Sequence, residues 1–162
     1  MKKYELLKDD YIKLYGTILY RIRALKDFAD VKKGDLGGYI ESGRNLSQFD
    51  ESWVYGNAKV WGNAEVYGDA EVWGNAEVYG DAEVYGYAEV SSSDDYIIFK
   101  NNWSSGRFFT YTKSNKMWRV GCFYGTGRAL IEKAYADSEL SGKCYEAYVK
   151  LVEQLEEIQE DK

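Results

Sequence analysis

The stretch from Trp103 to Arg128 alternates cations with aromatic side chains and includes a Gly-Thr-Gly turn before an expected helix. Backbone N–H groups at a helix N-terminus favour anions, and aromatic rings stack on nucleobases. These residue types predict a site for a small anionic, nucleotide-like ligand. Its candidate residues are Trp103, Arg107, Tyr111, Lys113, Lys116, Trp118, Arg119, Tyr124, Thr126 and Arg128.

A competing interpretation of the same stretch is purely structural. Phe109, Tyr111 and Trp118 would then form the core of a β-hairpin, and lysine stems would cover its rim. A single Gly-Thr-Gly does not decide between the two, because such turns are common outside binding sites.

Groups suited to catalysis are scarce in this chain. It contains no histidine, so the usual general base and the commonest zinc ligand are both missing. Its two cysteines, Cys122 and Cys144, are far apart in the sequence and have no other soft ligands near them. Cys122 is expected on the apolar face of the hairpin, where a thiol is inert. The sequence therefore predicts no catalytic residues, no metal and no cofactor.

The net charge of −6 is unevenly distributed over the 162 residues. Val54 to Val90 has one lysine against seven acids, whereas Ser91 to Arg128 has six basic residues against two acids. The sequence thus predicts an acidic rod joined to a mildly basic module. Two cysteines are too few for a disulfide framework, and no apolar run follows the first residues. We expect a cytoplasmic protein that neither enters a membrane nor binds nucleic acid directly.

The acidic part is a repeat, which divides as VYGNAK, VWGNAE, VYGDAE, VWGNAE, VYGDAE and VYGYAE. Each unit offers a short strand at the β-branched valine, a Gly-Asn or Gly-Asp corner, and a small alanine that fits inside that corner. A fixed short period is typical of a solenoid, whose units bury their apolar face only by stacking.

The spacing of valine and alanine resembles the hexapeptide-repeat family. That resemblance implies a left-handed parallel β-helix, in which the first repeat residue points inward and the fifth is small. Acyltransferases and carbonic anhydrases on this scaffold use histidine, which this chain lacks. The outward aromatic residues of the repeats offer more apolar surface than a small monomer normally exposes, so we also expect a homo-oligomer. By analogy with this family a trimer is the first expectation, and a dimer is the second.

The predicted fold is mainly β, with a short left-handed parallel β-helix of about two to three coils between two flanking parts. Residues 1–35 form N-terminal strands that act as a cap, residues 36–91 the β-helix, and residues 92–162 an α+β module. The module should contain a β-hairpin or meander followed by two helices. Caps are needed because the ends of a solenoid expose unpaired strands.

If three repeats close one coil, outward aromatic residues one coil apart should stack in three ladders: Tyr55 with Trp73, Trp61 with Tyr79, and Tyr67 with Tyr85. Glutamates form columns beside them, Glu71 with Glu89 and Glu65 with Glu83. One interpretation is that the rings only cover the strands. The other is that at least one ladder packs against another subunit or the terminal modules.

The flanks carry weaker patterns. Lys13 to Phe28 predicts one or two strands, with Arg21 and Arg23 on a solvated edge. After the repeats we expect strands at 96–100, 107–113 and 116–124, then a helix capped by Thr126. A second helix, about 142–158, should cover the hairpin with one apolar stripe, although a helical contact between subunits is the alternative. That stripe comprises Cys144, Tyr148, Leu151, Leu155 and Ile158.

Three stretches, RIRALKDFADVKKGDLGGYIES, the repeats and WRVGCFYGTG, resemble a group of uncharacterised phage proteins. The resemblance implies a phage accessory protein acting in an infected bacterial cell. Our leading hypothesis is a non-enzymatic anti-defence protein that sequesters a small nucleotide immune signal. The alternative is a macromolecule-binding protein whose acidic rod mimics nucleic-acid charge or serves as a phage assembly surface.

Overall fold

The computed structural model describes residues 1–161, and its N-terminal part is a small antiparallel sheet. Strand β1 (Tyr4–Leu14) pairs with β2 (Thr17–Ala24) through a turn at Tyr15 and Gly16, both at positive φ, and β2 pairs with β3 (Leu36–Ile40). The strands expected within residues 13–28 correspond to β2 and the end of β1. Most of β1 lies before that range.

Seven two-residue strands follow, and together with β3 they form a β-helix-like segment of three coils, here called the β-helix. They are β4 (Trp53–Val54), β5 (Lys59–Val60), β6 (Glu65–Val66), β7 (Glu71–Val72), β8 (Glu77–Val78), β9 (Glu83–Val84) and β10 (Glu89–Val90). All pairings among β4–β10 are parallel and join each strand to the one three repeats later, as predicted. Three faces result: β3-β5-β8, β4-β7-β10 and β6-β9.

Valine and alanine fill the inside of the β-helix. Val60, Val66, Val72 and Val78 are fully buried, and the alanines between them are buried too. The third residue of each repeat is a glycine with φ between 58° and 76°, which other residues adopt only under strain. The interior is therefore closely filled by side chains, as the sequence predicted.

The first coil is irregular. Ile40 pairs with Val60 and Leu46 bridges Val66, whereas Val54 pairs with Val72. The first two pairs are further apart in the sequence than the third, because two extra residues lie between Leu46 and Val54. Phe49 lies in this insertion and is 98% exposed. In the sequence this place is marked by residues 50–52, which read Asp-Glu-Ser where the repeats read Gly-Asn-Ala.

The N-terminal end of the β-helix is closed by Lys3 and Tyr4. The Lys3 ammonium donates to the carbonyl oxygens of Ser52 (2.7 Å) and Asp50 (3.0 Å), and the Tyr4 hydroxyl donates to that of Leu46 (2.6 Å). Burial lowers the pKa of Lys3 to about 8, although Asp50 opposes the shift. These donors satisfy carbonyl groups that no preceding coil can reach.

One of the two arginines expected on a solvated edge is mostly buried instead. Arg21 lies over the ring of Tyr39 and donates to its hydroxyl and to the Gly37 carbonyl oxygen (2.8 Å). Because β3 pairs with β2 and places Tyr39 opposite Arg21, this edge of β2 is not solvated and the guanidinium packs on the tyrosine ring. Arg23 remains half-exposed and pairs with Glu5.

The C-terminal part is a four-stranded antiparallel meander followed by two helices. Its elements are β11 (Tyr96–Lys100), β12 (Phe108–Thr112), β13 (Met117–Val120), β14 (Phe123–Gly125), α1 (Gly127–Asp137) and α2 (Glu139–Glu160). Phe109 faces Val120 and Tyr111 faces Trp118 across β12 and β13. One face of this sheet packs on the helices, and the other covers the last coil.

Three hydroxyl groups cap the last coil. Its strands have no following coil to accept their N–H groups. Instead, Ser93, Thr110 and Ser114 accept from the backbone of Glu77 (3.2 Å), Glu83 (2.9 Å) and Glu89 (2.9 Å). One hydroxyl thus serves each face of the β-helix, which closes an edge that would otherwise recruit another strand.

The predicted stripe of α2 is wrong in three of its five residues, since only Cys144 and Tyr148 pack half-buried against the C-terminal core. The residues buried in the helix are Gly142, Tyr145, Val149 and Val152, whereas Leu151, Leu155 and Ile158 are exposed. The helix also starts earlier than predicted, at Glu139 with Ser138 as its N-cap. The periodicity of this helix allows two apolar stripes, and the one that packs on the sheet contains a tyrosine and two valines.

Among residues 1–161, no helix is long and apolar enough to span a membrane.

Candidate functional site

The ten residues predicted to bind a ligand do not form one site within the chain. Alternating residues of β12 and β13 point to opposite faces of the sheet. Tyr111 and Trp118 therefore lie on the helix side, and Arg119 lies on the β-helix side. The remaining residues lie in loops, at strand ends or at the start of α1.

On the helix side, the aromatic rings form a core. Trp118 is only 2% exposed, its ring centroid lies 4.9 Å from that of Tyr111, and Phe109 packs edge-on against it. Tyr145 of α2 packs on Phe109 (4.7 Å between centroids). This is the arrangement of the competing structural interpretation. Neither Tyr111 nor Trp118 presents a free ring face to a base.

A cavity of about 220 Å³ lies between this core and α2. Lys116 and Gly127 line it, but so do Glu153 and Glu156. Lys116 is already paired with Glu156 (3.3 Å), and the Tyr111 hydroxyl also donates to that carboxylate. Burial, then the Glu156 hydrogen bond, raises the pKa of Tyr111. An anionic ligand would meet two carboxylates here, so the cavity disfavours phosphate.

On the other side of the sheet, Arg119 and Tyr124 dock the module onto the β-helix. The Arg119 guanidinium lies near the rings of Tyr67 (5.4 Å) and Tyr85 (4.9 Å) and 3.9 Å from Glu83. Burial raises the pKa of Glu83, while Arg119 acts against that shift. Tyr124 packs edge-on against Tyr85 (4.8 Å). One aromatic ladder is therefore covered by a terminal module, as one interpretation of the ladders expected.

The other predicted residues are scattered. Thr126 is the N-cap of α1 and accepts from the Ala129 N–H (3.2 Å), so its hydroxyl is already in use. Arg128 is exposed and lies 3.5 Å from Glu132 on the next helical turn. Trp103 is exposed in the loop between β11 and β12, and Lys113 is half-exposed at the end of β12.

Of the ten, Arg107 is the one that lines a groove on the β-helix. This groove of about 350 Å³ lies on the β6-β9 face, and Arg44 also lines it. Its remaining lining residues are Asn63, Glu65, Asp81, Glu83, Phe108 and Gly121. Arg44 was not predicted because it lies in a turn before the repeats, far from Arg107 in the sequence. Two guanidinium groups here face three carboxylates, so the groove has mixed charge.

All charged residues that line a second groove are acidic. It has a volume of about 420 Å³, and Tyr87 and Ala29 line it together with four acids, Glu51, Asp69, Glu71 and Glu89. Glu71 and Glu89 are the strand pair predicted as a column. Glu51 comes from the irregular first coil, which is why the repeat pattern did not include it.

These acids belong to a larger set. Val60 to Val90 contains seven acids and no basic residue: Glu65, Asp69, Glu71, Glu77, Asp81, Glu83 and Glu89. Among residues 1–161, only Glu83 of this set lies within 4 Å of a lysine or arginine nitrogen. Their strands belong to all three faces of the β-helix. The set, here called the acidic surface, is therefore left largely without internal counter-charges.

The cysteine prediction needs correction. Cys122 is exposed and not part of the core, because β13 ends at Val120 and the chain reverses at Gly121 with φ of 55°. Cys144 is half-buried on α2. Within the described residues, no group of three histidine, cysteine, aspartate or glutamate side chains is placed to hold a metal ion.

No protein-family model and no curated protein matches this chain.

Proposed function

We propose that this chain is a non-enzymatic binding protein whose acidic surface engages a basic macromolecular partner. The observation that carries the proposal is the set of seven acids between Val60 and Val90. Within residues 1–161, six of the seven have no lysine or arginine nitrogen within 4 Å, although Arg44 and Arg107 line the same groove as Glu65 and Asp81. Unpaired like charges repel one another and weaken the folded state. The positive charges of a basic partner would relieve that repulsion, and this relief would favour binding.

The density of these charges is close to that of duplex DNA. Neighbouring coils lie about 4.8 Å apart, so seven acids in two coils give roughly one charge per 1.4 Å of axis. Duplex DNA carries about one charge per 1.7 Å, so the acidic surface matches the charge of roughly three to four base pairs. It can therefore imitate the part of a duplex that one binding module contacts.

The β-helix also holds these carboxylates in fixed positions. Glu71 pairs in register with Glu89, Glu65 with Glu83, and their neighbouring valines are buried. Trp73 stacks on a tyrosine of the coil before it (3.7 Å between centroids) and donates to the Glu71 carboxylate (3.0 Å). Because these carboxylates are already ordered, binding of a partner costs little conformational entropy on this surface.

The natural partner class is a basic nucleic-acid-binding protein of the host or a basic component of the virion. The resemblance of the flanks and repeats to phage proteins supports a role in an infected bacterial cell. We also propose that the β-helix winds in the left-handed sense that its resemblance to the hexapeptide-repeat family implies.

Competition with DNA tests this function. A purified basic nucleoid protein is bound to a fluorescent duplex, and displacement of the duplex by the chain is followed by anisotropy. We expect displacement that weakens with rising salt and fails when Asp69, Glu71 and Glu89 are changed to Asn, Gln and Gln. The matched control changes Glu153, Glu157 and Glu160 to Gln, which alters net charge equally on α2. Equal displacement by both variants, or none by the native chain, would contradict the proposal.

The second candidate is sequestration of a small nucleotide immune signal, as an anti-defence function. It is favoured by the convergence of Arg44 and Arg107 on one groove. The three carboxylates in that groove count against it. A thermal-shift screen with cyclic dinucleotides and ADP-ribose tests it: a true ligand raises the melting temperature of the native chain. It should not do so for Arg107→Ala, whereas Arg128→Ala, outside the groove, should respond normally.

A further inference from the structure

Helix α2 leaves an apolar stripe in solvent. Leu140, Leu151, Leu155 and Ile158 are 61%, 42%, 47% and 59% exposed, although all four are large and apolar. The other side of α2 already covers the sheet through three buried residues, Tyr145, Val149 and Val152. We call this face the outer stripe: it comprises Leu140, Ala147, Leu151, Gln154, Leu155 and Ile158, which are exposed, and Cys144, which is half-buried at its edge.

Charges are excluded from the outer stripe, though they are frequent elsewhere on the helix. The charged residues between Leu140 and Ile158 all lie outside it: Lys143, Glu146, Lys150, Glu153, Glu156 and Glu157. The members of the stripe recur mostly at intervals of four and three residues, the spacing of a coiled-coil seam. A solvated helix face would not need to exclude charge in this way.

We infer that the outer stripe pairs α2 with the α2 of a second copy of this chain, in antiparallel orientation. The seam extends over about 27 Å at about 1.5 Å per residue. When the two helices cross near residue 149, Leu140 lies opposite the partner's Ile158 and Ala147 opposite the partner's Leu151. In the second of these pairs a small residue meets a large one, which allows close packing.

The charges beside the seam select the antiparallel orientation. Lys143 flanks the N-terminal half of the seam, where it pairs with Glu139 of its own chain (3.2 Å), and it falls near the partner's Glu157, an arrangement that symmetry repeats on the other side. A parallel pair would instead bring two acidic C-terminal turns together, each with Glu156, Glu157 and Glu160. Lys150 lies near the two-fold axis, but it is already paired with Glu146 (2.7 Å) in its own chain.

A dimer of this kind leaves the acidic surface free. The outer stripe lies on the side of α2 that faces away from the C-terminal sheet, and the sheet separates α2 from the last coil. A dimer would carry two acidic surfaces and could engage two sites of a symmetric partner. The inference itself does not depend on the proposed function.

Sedimentation equilibrium from about 1 to about 200 µM tests the pairing. We expect a monomer–dimer equilibrium for the native chain and only monomer for Leu151→Glu. Because Leu151 is exposed in the monomer, this variant should keep its circular dichroism and melting behaviour at low concentration. Glu153→Lys, two positions away and outside the stripe, should dimerise normally. A native chain that stays monomeric, or a Leu151→Glu dimer, would overturn the inference.

Disulfide trapping tests the orientation, in a Cys122→Ser background that leaves Cys144 as the only thiol. In the antiparallel pair Cys144 lies opposite the partner's Gln154, so Gln154→Cys should give an oxidised dimer linked between positions 144 and 154. Glu153→Cys, rotated by about 100° on the helix, should not. A 144–144 link in the background chain would show a parallel pair and overturn the proposed arrangement.

Discussion

Thr110 should be the most important of the three hydroxyl caps on the last coil. Its Oγ1 accepts from the Glu83 N–H at 2.9 Å, and the residue is buried between the sheet and the β-helix. Ser114 makes the equivalent bond to the Glu89 N–H at the same distance, but both residues there are exposed. The two caps share their geometry and differ in access to water.

Thr110→Val keeps the shape of the side chain and removes only the acceptor. The Glu83 N–H is then left without a partner where water has little access, which costs about 1–3 kcal/mol of unfolding free energy. For a chain of this length, each kcal/mol lowers the melting temperature by roughly 2–4 °C. Ser114→Ala should cost less than about 0.5 kcal/mol, because water replaces the lost hydroxyl.

Urea unfolding followed by circular dichroism measures the difference. We expect a lower midpoint with an unchanged slope for Thr110→Val, and near-native behaviour for Ser114→Ala and Thr110→Ser. Thr110→Ser retains the acceptor and is the matched control for loss of the methyl group. If Thr110→Val were as stable as the native chain, or no less stable than Ser114→Ala, the capping argument would be refuted.

Three further predictions concern the β-helix and its two ends. Val72→Ala should lower the unfolding free energy by roughly 1–3 kcal/mol while the outward Glu71→Ala changes it little; equal losses in urea titrations would contradict the inward and outward assignment. Because the pKa of Lys3 is lowered to about 8, its amino group binds more protons in the unfolded chain than in the folded chain between about pH 8 and 10. The contribution of Lys3 to stability should therefore rise with pH in that window by at most about 1.4 kcal/mol per pH unit, and the difference in unfolding free energy between the native chain and Lys3→Met should change accordingly; a difference independent of pH would contradict the lowered pKa. Gly86→Ala should destabilise the chain more than Gly74→Ala. Both glycines have positive φ, but only at Gly86 would a Cβ collide with a tyrosine hydroxyl of β14. Similar urea midpoints for the two variants would contradict this prediction and show that the contact can relax.

The sequence predicted the parts of the fold that repeat. Valine at every sixth position determines which side chains point inward, and the observed register of Val54 with Val72 follows from three strands per coil. The first coil was less predictable, because two extra residues before Val54 increase the sequence separation of the paired residues on two faces. The departure from Gly-Asn-Ala indicated where the irregularity lies but not its size.

The closing contacts at the ends of the β-helix were not predictable in the same way. Lys3 reaches Ser52 across 49 residues, and Thr110 reaches Glu83 across 27. Such contacts depend on how separate elements dock and leave no local pattern. The stripe of α2 failed for a related reason: two apolar stripes share one helix, and periodicity cannot say which of them meets the sheet.

The failure of the ten predicted residues to converge has a physical cause. Alternation of aromatic and cationic residues indicated a ligand site, but a strand covered on both faces requires a similar alternation. In β13, Trp118 packs toward α2, and its neighbour Arg119 packs toward two tyrosine rings of the β-helix. One face needs large apolar rings, while the other must meet an acidic, tyrosine-lined coil, for which arginine is suited by both charge and shape. The basic character of the module is therefore in part the counterpart of the acidic β-helix beneath it. The sheet supplies no counter-charge within 4 Å to the carboxylates of Glu71 and Glu89, and these are among the groups that we propose engage a partner.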